Sequence, residues 1–217
     1  DAGFSIVSYT GNGTAGATVG HGLSKKPEML VVKKRDGTSA WMTANEYSGW
    51  TGRMNLNTTN AAADDGGAYF YGNTATPTNS VFYLGSHTYT NGSSNSFIAY
   101  CFHSVDGYSK VGSYTGNGNA DGTFVYTGFR PAYVLIKITS GSDHWHTWDT
   151  ERDSYNVMDT YIKVSASSAE ESGSAWYIDF LSNGFKTRST DSNMNTNGAT
   201  YIYLAFAETP FKYSNAR

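Results

Sequence analysis

Ser8-Tyr9-Thr10-Gly11-Asn12-Gly13 returns unchanged as Ser113-Tyr114-Thr115-Gly116-Asn117-Gly118, an offset of 105 (113 − 8). One repeated hexamer is a motif; an offset that persists downstream marks a repeated unit. Here it persists, at 104. Pro27-Glu28-Met29-Leu30-Val31-Val32-Lys33 stands against Pro131-Ala132-Tyr133-Val134-Leu135-Ile136-Lys137, and Trp41-Met42-Thr43 against Trp145-His146-Thr147. Phe97-Ile98-Ala99-Tyr100-Cys101-Phe102 matches Tyr201-Ile202-Tyr203-Leu204-Ala205-Phe206, and Asn79–Phe82 pairs loosely with Ser182–Phe185. The chain therefore reads as two tandem homologous units, 1–110 and 111–217, with one domain merged about a pseudo-twofold axis as the alternative. The short connection Asp106–Lys110 predicts close neighbours with little freedom.

Each unit reads as short strands punctuated by turn residues. Phe4–Tyr9 alternates in part and stops at Thr-Gly-Asn-Gly, where Gly and Asn allow positive φ. Short strands follow near Ala17-Thr18-Val19 and Thr123-Phe124-Val125-Tyr126. Pro27 and Pro131 precede the most apolar runs, Met29–Val32 and Tyr133–Ile136, which read as central strands buried on both faces. Asp36-Gly37 and Ser140-Gly141 read as hairpin turns leading to Trp41 and Trp145. Ala61–Gly67 reads as a loop, and Ser154–Tyr161 as either helix or strand. Asn91-Gly92 and Asn197-Gly198 predict closing hairpins. With no strand–helix alternation, the fold class is all-β: an antiparallel β-sandwich, jelly-roll-like, in each unit.

Composition agrees. The 217 residues include 24 Gly and 15% aromatics, and only 15% are charged, well below the usual quarter. Helix-propagating Ala/Leu/Glu/Lys stretches are missing. The net charge of −3 and a longest basic run of Lys33-Lys34-Arg35 argue against nucleic acid. No apolar run reaches membrane-spanning length, so no membrane insertion is expected. The single cysteine, Cys101, lies in an apolar run and reads as a small buried side chain; no internal disulfide is possible. The start at Asp1, without Met, predicts upstream processing or a longer parent chain.

Trp41 and Trp145, at matching places, read as core anchors, with Pro27 and Pro131 as structural companions. If Trp145 points inward, His144 and His146 point out together, half of a metal site with no third ligand at a recognisable spacing; no metal or other cofactor is expected. Asp143, Asp149, Glu151 and Asp153, like Asp64-Asp65, read as solvated loop charges without calcium-loop spacing. No nucleophile elbow, phosphate loop or His-Glu-x-x-His occurs. Trp50, Tyr69, Tyr71 and Trp176 stand in polar, Gly-rich stretches that no core strand claims. Such rings stack on sugar faces, anchor subunit interfaces, or pack beneath their own loops.

Several strings carry a family resemblance: Gly3–Leu23, Leu56-Asn57-Thr58-Thr59, Ala99-Tyr100-Cys101-Phe102, Gly107-Tyr108-Ser109-Lys110, Asp179–Lys186 and Ala205–Lys212. Together they resemble an uncharacterised domain frequent in virion proteins of tailed, often marine, bacteriophages. The resemblance covers nearly the whole chain. It implies a virion structural component of the tail-fibre or decoration type, assembled in the host cytoplasm beside other virion subunits. Binding of host-surface glycan, and a homo-oligomer such as a trimer, follow as expectations. It brings no catalytic residues, so the chain reads as a non-enzyme. The alternatives are a self-assembling cementing module and a paired-carboxylate polysaccharide depolymerase.

Overall fold

The structure, a computed structural model, describes residues 2–70, 76–173 and 176–209. The chain forms two compact units, Asp1–His103 and Ser104–Arg217. The boundary thus falls earlier than 110/111, because Ser109 already opens a strand and Val105 bridges to it.

The first unit contains β1 (Phe4–Thr10), β2 (Ala17–Gly20), β3 (Met29–Lys34), β4 (Met42–Asn45), β5 (Gly52–Asn55), β6 (Ala63–Asp64), β7 (Val81–Leu84), the one-turn helix α1 (Thr88–Asn91) and β8 (Ser96–Phe102). Its main sheet has the order β1-β8-β3-β4-β5-β6, and β2 pairs with β7 in a second sheet. All of these pairs are antiparallel. First strand pairs with last, second with second-last, and the third flanks the last on its other side. That nesting is the jelly-roll pattern, with β4–β6 continuing as a meander beside β3. Leu30, Val32, Met42, Phe97, Ala99 and Cys101 of the main sheet meet Phe82 and Leu84 of β7, so the two sheets enclose one core.

The second unit contains β9 (Ser109–Thr115), β10 (Phe124–Tyr126), β11 (Pro131–Ile138), β12 (His146–Asp149), β13 (Ile162–Lys163), β14 (Ile178–Leu181), β15 (Gly184–Thr187), α2 (Ser192–Asn195) and β16 (Thr200–Ala207). Its sheets run β13-β12-β11-β16-β9 and β10-β15-β14, with the same nesting of first, second and third strands against the last two. Val134, Ile136, Trp148 and Tyr203 face Val125, Phe180 and Phe185 across the core. Pro131 opens β11, where a missing N–H is tolerated, and the register shifts just after it. Pro27 is likewise buried, two residues ahead of β3.

The repeated hexamer has one job in both units. Asn91, at the end of α1, is buried and accepts the backbone N–H of Asn12 on Oδ1 at 3.0 Å. Its side-chain amide donates to the carbonyls of Thr14 and Gly85. Asn195 accepts from the Asn117 N–H at 2.9 Å and donates to Asn117 Oδ1, Asn119 O and Ser189 O. Gly13 and Gly118 donate to the main-chain carbonyls of the same two asparagines. The Tyr9 hydroxyl donates to Thr90 O at 2.6 Å, and the Tyr114 hydroxyl to Met194 O at 2.8 Å. At Gly11 and Gly116 a Cβ would collide with the opposing backbone. Tyr-Thr-Gly-Asn-Gly is therefore a clasp that shuts on a buried asparagine.

That role overturns the closing hairpins. β7 pairs with β2, not β8, and β15 pairs with β10 and β14, not β16. A two-residue Asn-Gly hairpin needs positive φ at both positions, yet Gly92 has φ −54 and caps α1. In the second unit the clasp asparagine is Asn195, and Asn197-Gly198 follows the helix. Ser154–Tyr161 forms neither helix nor strand, only isolated bridges from Met158 to Ile178 and from Tyr161 to Glu171.

The two tryptophans share a backbone place but not an environment. Leu56 donates to Trp41 O at 2.9 Å and Val164 to Trp145 O at 2.8 Å. Trp145 is buried. Trp41 is only half-buried and stacks on Tyr100 at 6.2 Å. Neither tryptophan belongs to its unit's core cluster as a core anchor would, because the adjacent Met42 and His146 take the core-facing positions; Trp145 is buried on the other face.

Candidate functional site

The four rings expected in loops have different fates. Trp50 is only 7% exposed and belongs to the first core, which corrects its reading as a ligand-binding ring that no core strand claims. Asn45 accepts the N–H groups of Tyr47 and Ser48 on Oδ1, and this turn leads the chain into the core at the indole. Tyr71 lies outside the described residues. Tyr69 and Trp176 are half-buried, each packed against its unit's core.

Tyr69 organises a surface cluster in the first unit. Its ring stacks on His87 at 3.8 Å, with the Arg53 guanidinium carbon 4.6 Å from the ring centroid. Arg53 Nε lies 2.5 Å from Asp65 Oδ2. Tyr89 meets the far side of the cluster, edge-on to His87 at 4.9 Å, and is 38% exposed. The backbone holds this array: Gly85 N–H and Thr90 Oγ1 both donate to Tyr69 O, and His87 N–H donates to Ala68 O. His87 Nδ1 accepts the N–H of Tyr89, which leaves the proton of the neutral ring on Nε2. Burial, then the Arg53 charge, holds His87 below its ordinary pKa. The cluster offers aromatic area, an arginine fork and a carboxylate: groups that bind, with no activated nucleophile among them.

Trp176 belongs to a more enclosed group in the second unit. His146 lies 4.8 Å from Trp176, 5.7 Å from Tyr161 and 6.0 Å from Trp148, and is 2% exposed. It does not share a solvent face with His144. On β12, His146 and Trp148 pair with Ile136 and Val134, which puts both on the core side. His144 Nδ1 instead meets Ser165 Oγ at 2.9 Å. Burial, reinforced by His144 and Lys163, pulls the His146 pKa down to about 3. Lys163 Nζ bonds both oxygens of Glu171 and lies 4.9 Å from the Trp176 ring; the Tyr161 hydroxyl donates to Glu171 at 2.7 Å. Trp176 is thus already engaged by its own unit.

The acidic residues of the second unit stabilise loops. Asp149 and Glu170 pair with Arg152, and Asp153 accepts the N–H groups of Asp159 and Thr160. Among the described residues, no group of three or more His, Cys, Asp or Glu side chains is placed to hold a metal ion. No helix among them is long and apolar enough to cross a membrane.

Sequence reasoning passed over two rings that the structure leaves open: Phe124, 44% exposed, and Tyr126, 65% exposed. The signal was the alternation in Thr123-Phe124-Val125-Tyr126, but alternation does not say which set faces water.

Residues 1–210 match the family model described as a domain of unknown function, DUF7483. The chain belongs to this family. The DUF7483 match runs through both units, so one family model spans the pair. No curated protein and no solved structure matches the chain.

Proposed function

We propose that this chain is a bacteriophage virion structural protein, of the tail-fibre or decoration type, that attaches to glycans on the host surface. The observation that carries the binding part is the Arg53–Tyr69–His87–Tyr89 cluster, where aromatic rings, a guanidinium and a carboxylate meet at the surface. Rings of this kind stack on the C–H faces of sugars while charged groups bind the hydroxyls. The sequence resemblance to phage virion proteins supports the setting. The test is a glycan array probed with the purified chain, together with blocking of phage adsorption by the same protein. Binding to host-type glycans, weakened in Tyr89→Ala, is expected. A blank array and undisturbed adsorption would remove the attachment role.

A second reading is assembly with further copies of this chain, or cementing of other virion subunits. It is favoured by β1, an edge strand with no charged residue from Phe4 to Thr10 and with Phe4 and Ile6 exposed. Edges of this kind pair with other strands unless they are protected by charge, Pro or a bulge. Mass measurement in solution tests it: an oligomer supports the reading and a monomer at high concentration opposes it.

A further inference from the structure

We infer a separate sugar-binding platform on the outer face of β10 and β15 in the second unit, formed by Phe124, Tyr126, Lys186 and Arg188, and suited to neutral sugars of a polysaccharide. In its biological setting it rests on the glycan-attachment reading; in its residues it is independent of the Tyr69 cluster.

Register fixes the face. Val125 pairs with Phe185, and both point into the core. Phe124 pairs with Lys186 and Tyr126 with Gly184, so these four share the opposite, outer face, which Asp179 joins from β14. The two rings are at i and i+2 on one strand, about 6.6 Å apart along it. A glycine gives Phe124 its room: a Cβ at Gly184 would lie 3.1 Å from Phe124 Cε2. Among the described residues no ring stacks on either of them.

The polar surroundings are charged but balanced. Lys186 Nζ lies 2.5 Å from Asp121 Oδ1, Arg188 Nη1 3.2 Å from the same oxygen, and Arg188 Nε 3.4 Å from Asp179 Oδ2. Two cations and two carboxylates leave no net charge to attract an acidic polymer, yet they present donors and acceptors at the edge of the rings. A sugar ring offers the complement: an apolar C–H face for the aromatics and a rim of hydroxyls for the ion-pair network. The fold does not require the rings. At the corresponding strand of the first unit, Thr18 and Gly20 occupy the exposed positions around core-facing Val19.

The test is affinity electrophoresis of the full chain in gels containing dextran, mannan or galactan, with acidic alginate and hyaluronan alongside. Retardation by at least one neutral polymer is expected. Phe124→Ala with Tyr126→Ala should weaken it by about tenfold, the scale of losing two stacked rings, while Tyr47→Ala, at an exposed ring of the first unit, leaves that binding unchanged. Should the double variant unfold by circular dichroism, Tyr126→Ser alone carries the test, with a smaller loss expected. Retardation unaltered by these changes, or seen with the acidic polymers only, would overturn the platform. If retardation survives them and is lost in Tyr89→Ala, the platform falls and the attachment reading stands. If nothing retards the wild-type chain, the platform falls, and the attachment reading is decided by the glycan array and adsorption.

Discussion

Gly112 lies against the ring of Tyr203, its directly paired residue on β16: a Cβ at Gly112 would come within 2.5 Å of Tyr203 Cζ. At the corresponding place in the first unit, Val7 pairs with Ala99. One unit puts the larger side chain on the first strand and the other puts it on the last. Opposite sizes at one register position are expected of one fold packed twice with exchanged volumes.

Gly112→Val alone should therefore destabilise the second unit by about 1–3 kcal/mol, the usual effect of overpacking. Combining it with Tyr203→Ala recreates the Val7–Ala99 pair and should recover part of the loss from either single change. Urea unfolding of the four proteins in a double-mutant cycle gives the coupling. Strict additivity would argue against matched registers.

Stability should fall as the solution becomes acidic, and His146 should account for part of the slope. Its folded pKa is drawn down to about 3, so between that value and the ordinary 6.5 the unfolded chain binds the extra proton. Stability from the neutral ring is complete above about pH 6.5 and is lost on acidification, with a limiting slope near 1.4 kcal/mol per pH unit. Met42 occupies the corresponding strand position in the first unit, so His146→Met is a natural control. Thermal unfolding between pH 4 and 7 should show a shallower acid slope in that variant; an unchanged slope would exclude His146 as a source.

Cys101 should resist thiol–disulfide exchange in the folded chain. Its thiol is buried in the first core, and burial pushes its pKa up to about 12, leaving almost no thiolate at neutral pH. Mixing with Ellman's reagent should give a colour change only after denaturant is added. Rapid labelling of the native protein would place Cys101 outside the core.

The physical strength of each signal decided how much of this was legible in sequence. Pro-led apolar runs identified β3 and β11 because long apolar segments have few other places to go. The hexamer declared the repeat, but its task depends on Asn91 and Asn195, some 80 residues away, and no local pattern links the partners. Asn91-Gly92 misled because a dipeptide common in tight hairpins also ends a one-turn helix. Trp50 misled because glycine-rich flanks set where the chain turns, not whether the ring ends inside. His146 misled, and Tyr126 was passed over, because alternation fixes two faces and leaves their assignment to the partner strand.

Unfolding of Asn91→Ala and Asn195→Ala measures the clasp most directly. Each substitution strips bonds from the hexamer and leaves buried backbone groups unpaired, so each should lower stability by about 3 kcal/mol. The amides of Asn12 or Asn117, in the matching unit, should then exchange with deuterium far faster. Variants as stable as wild type, with those amides still protected, would mean that the two loops are held by something other than the buried asparagines.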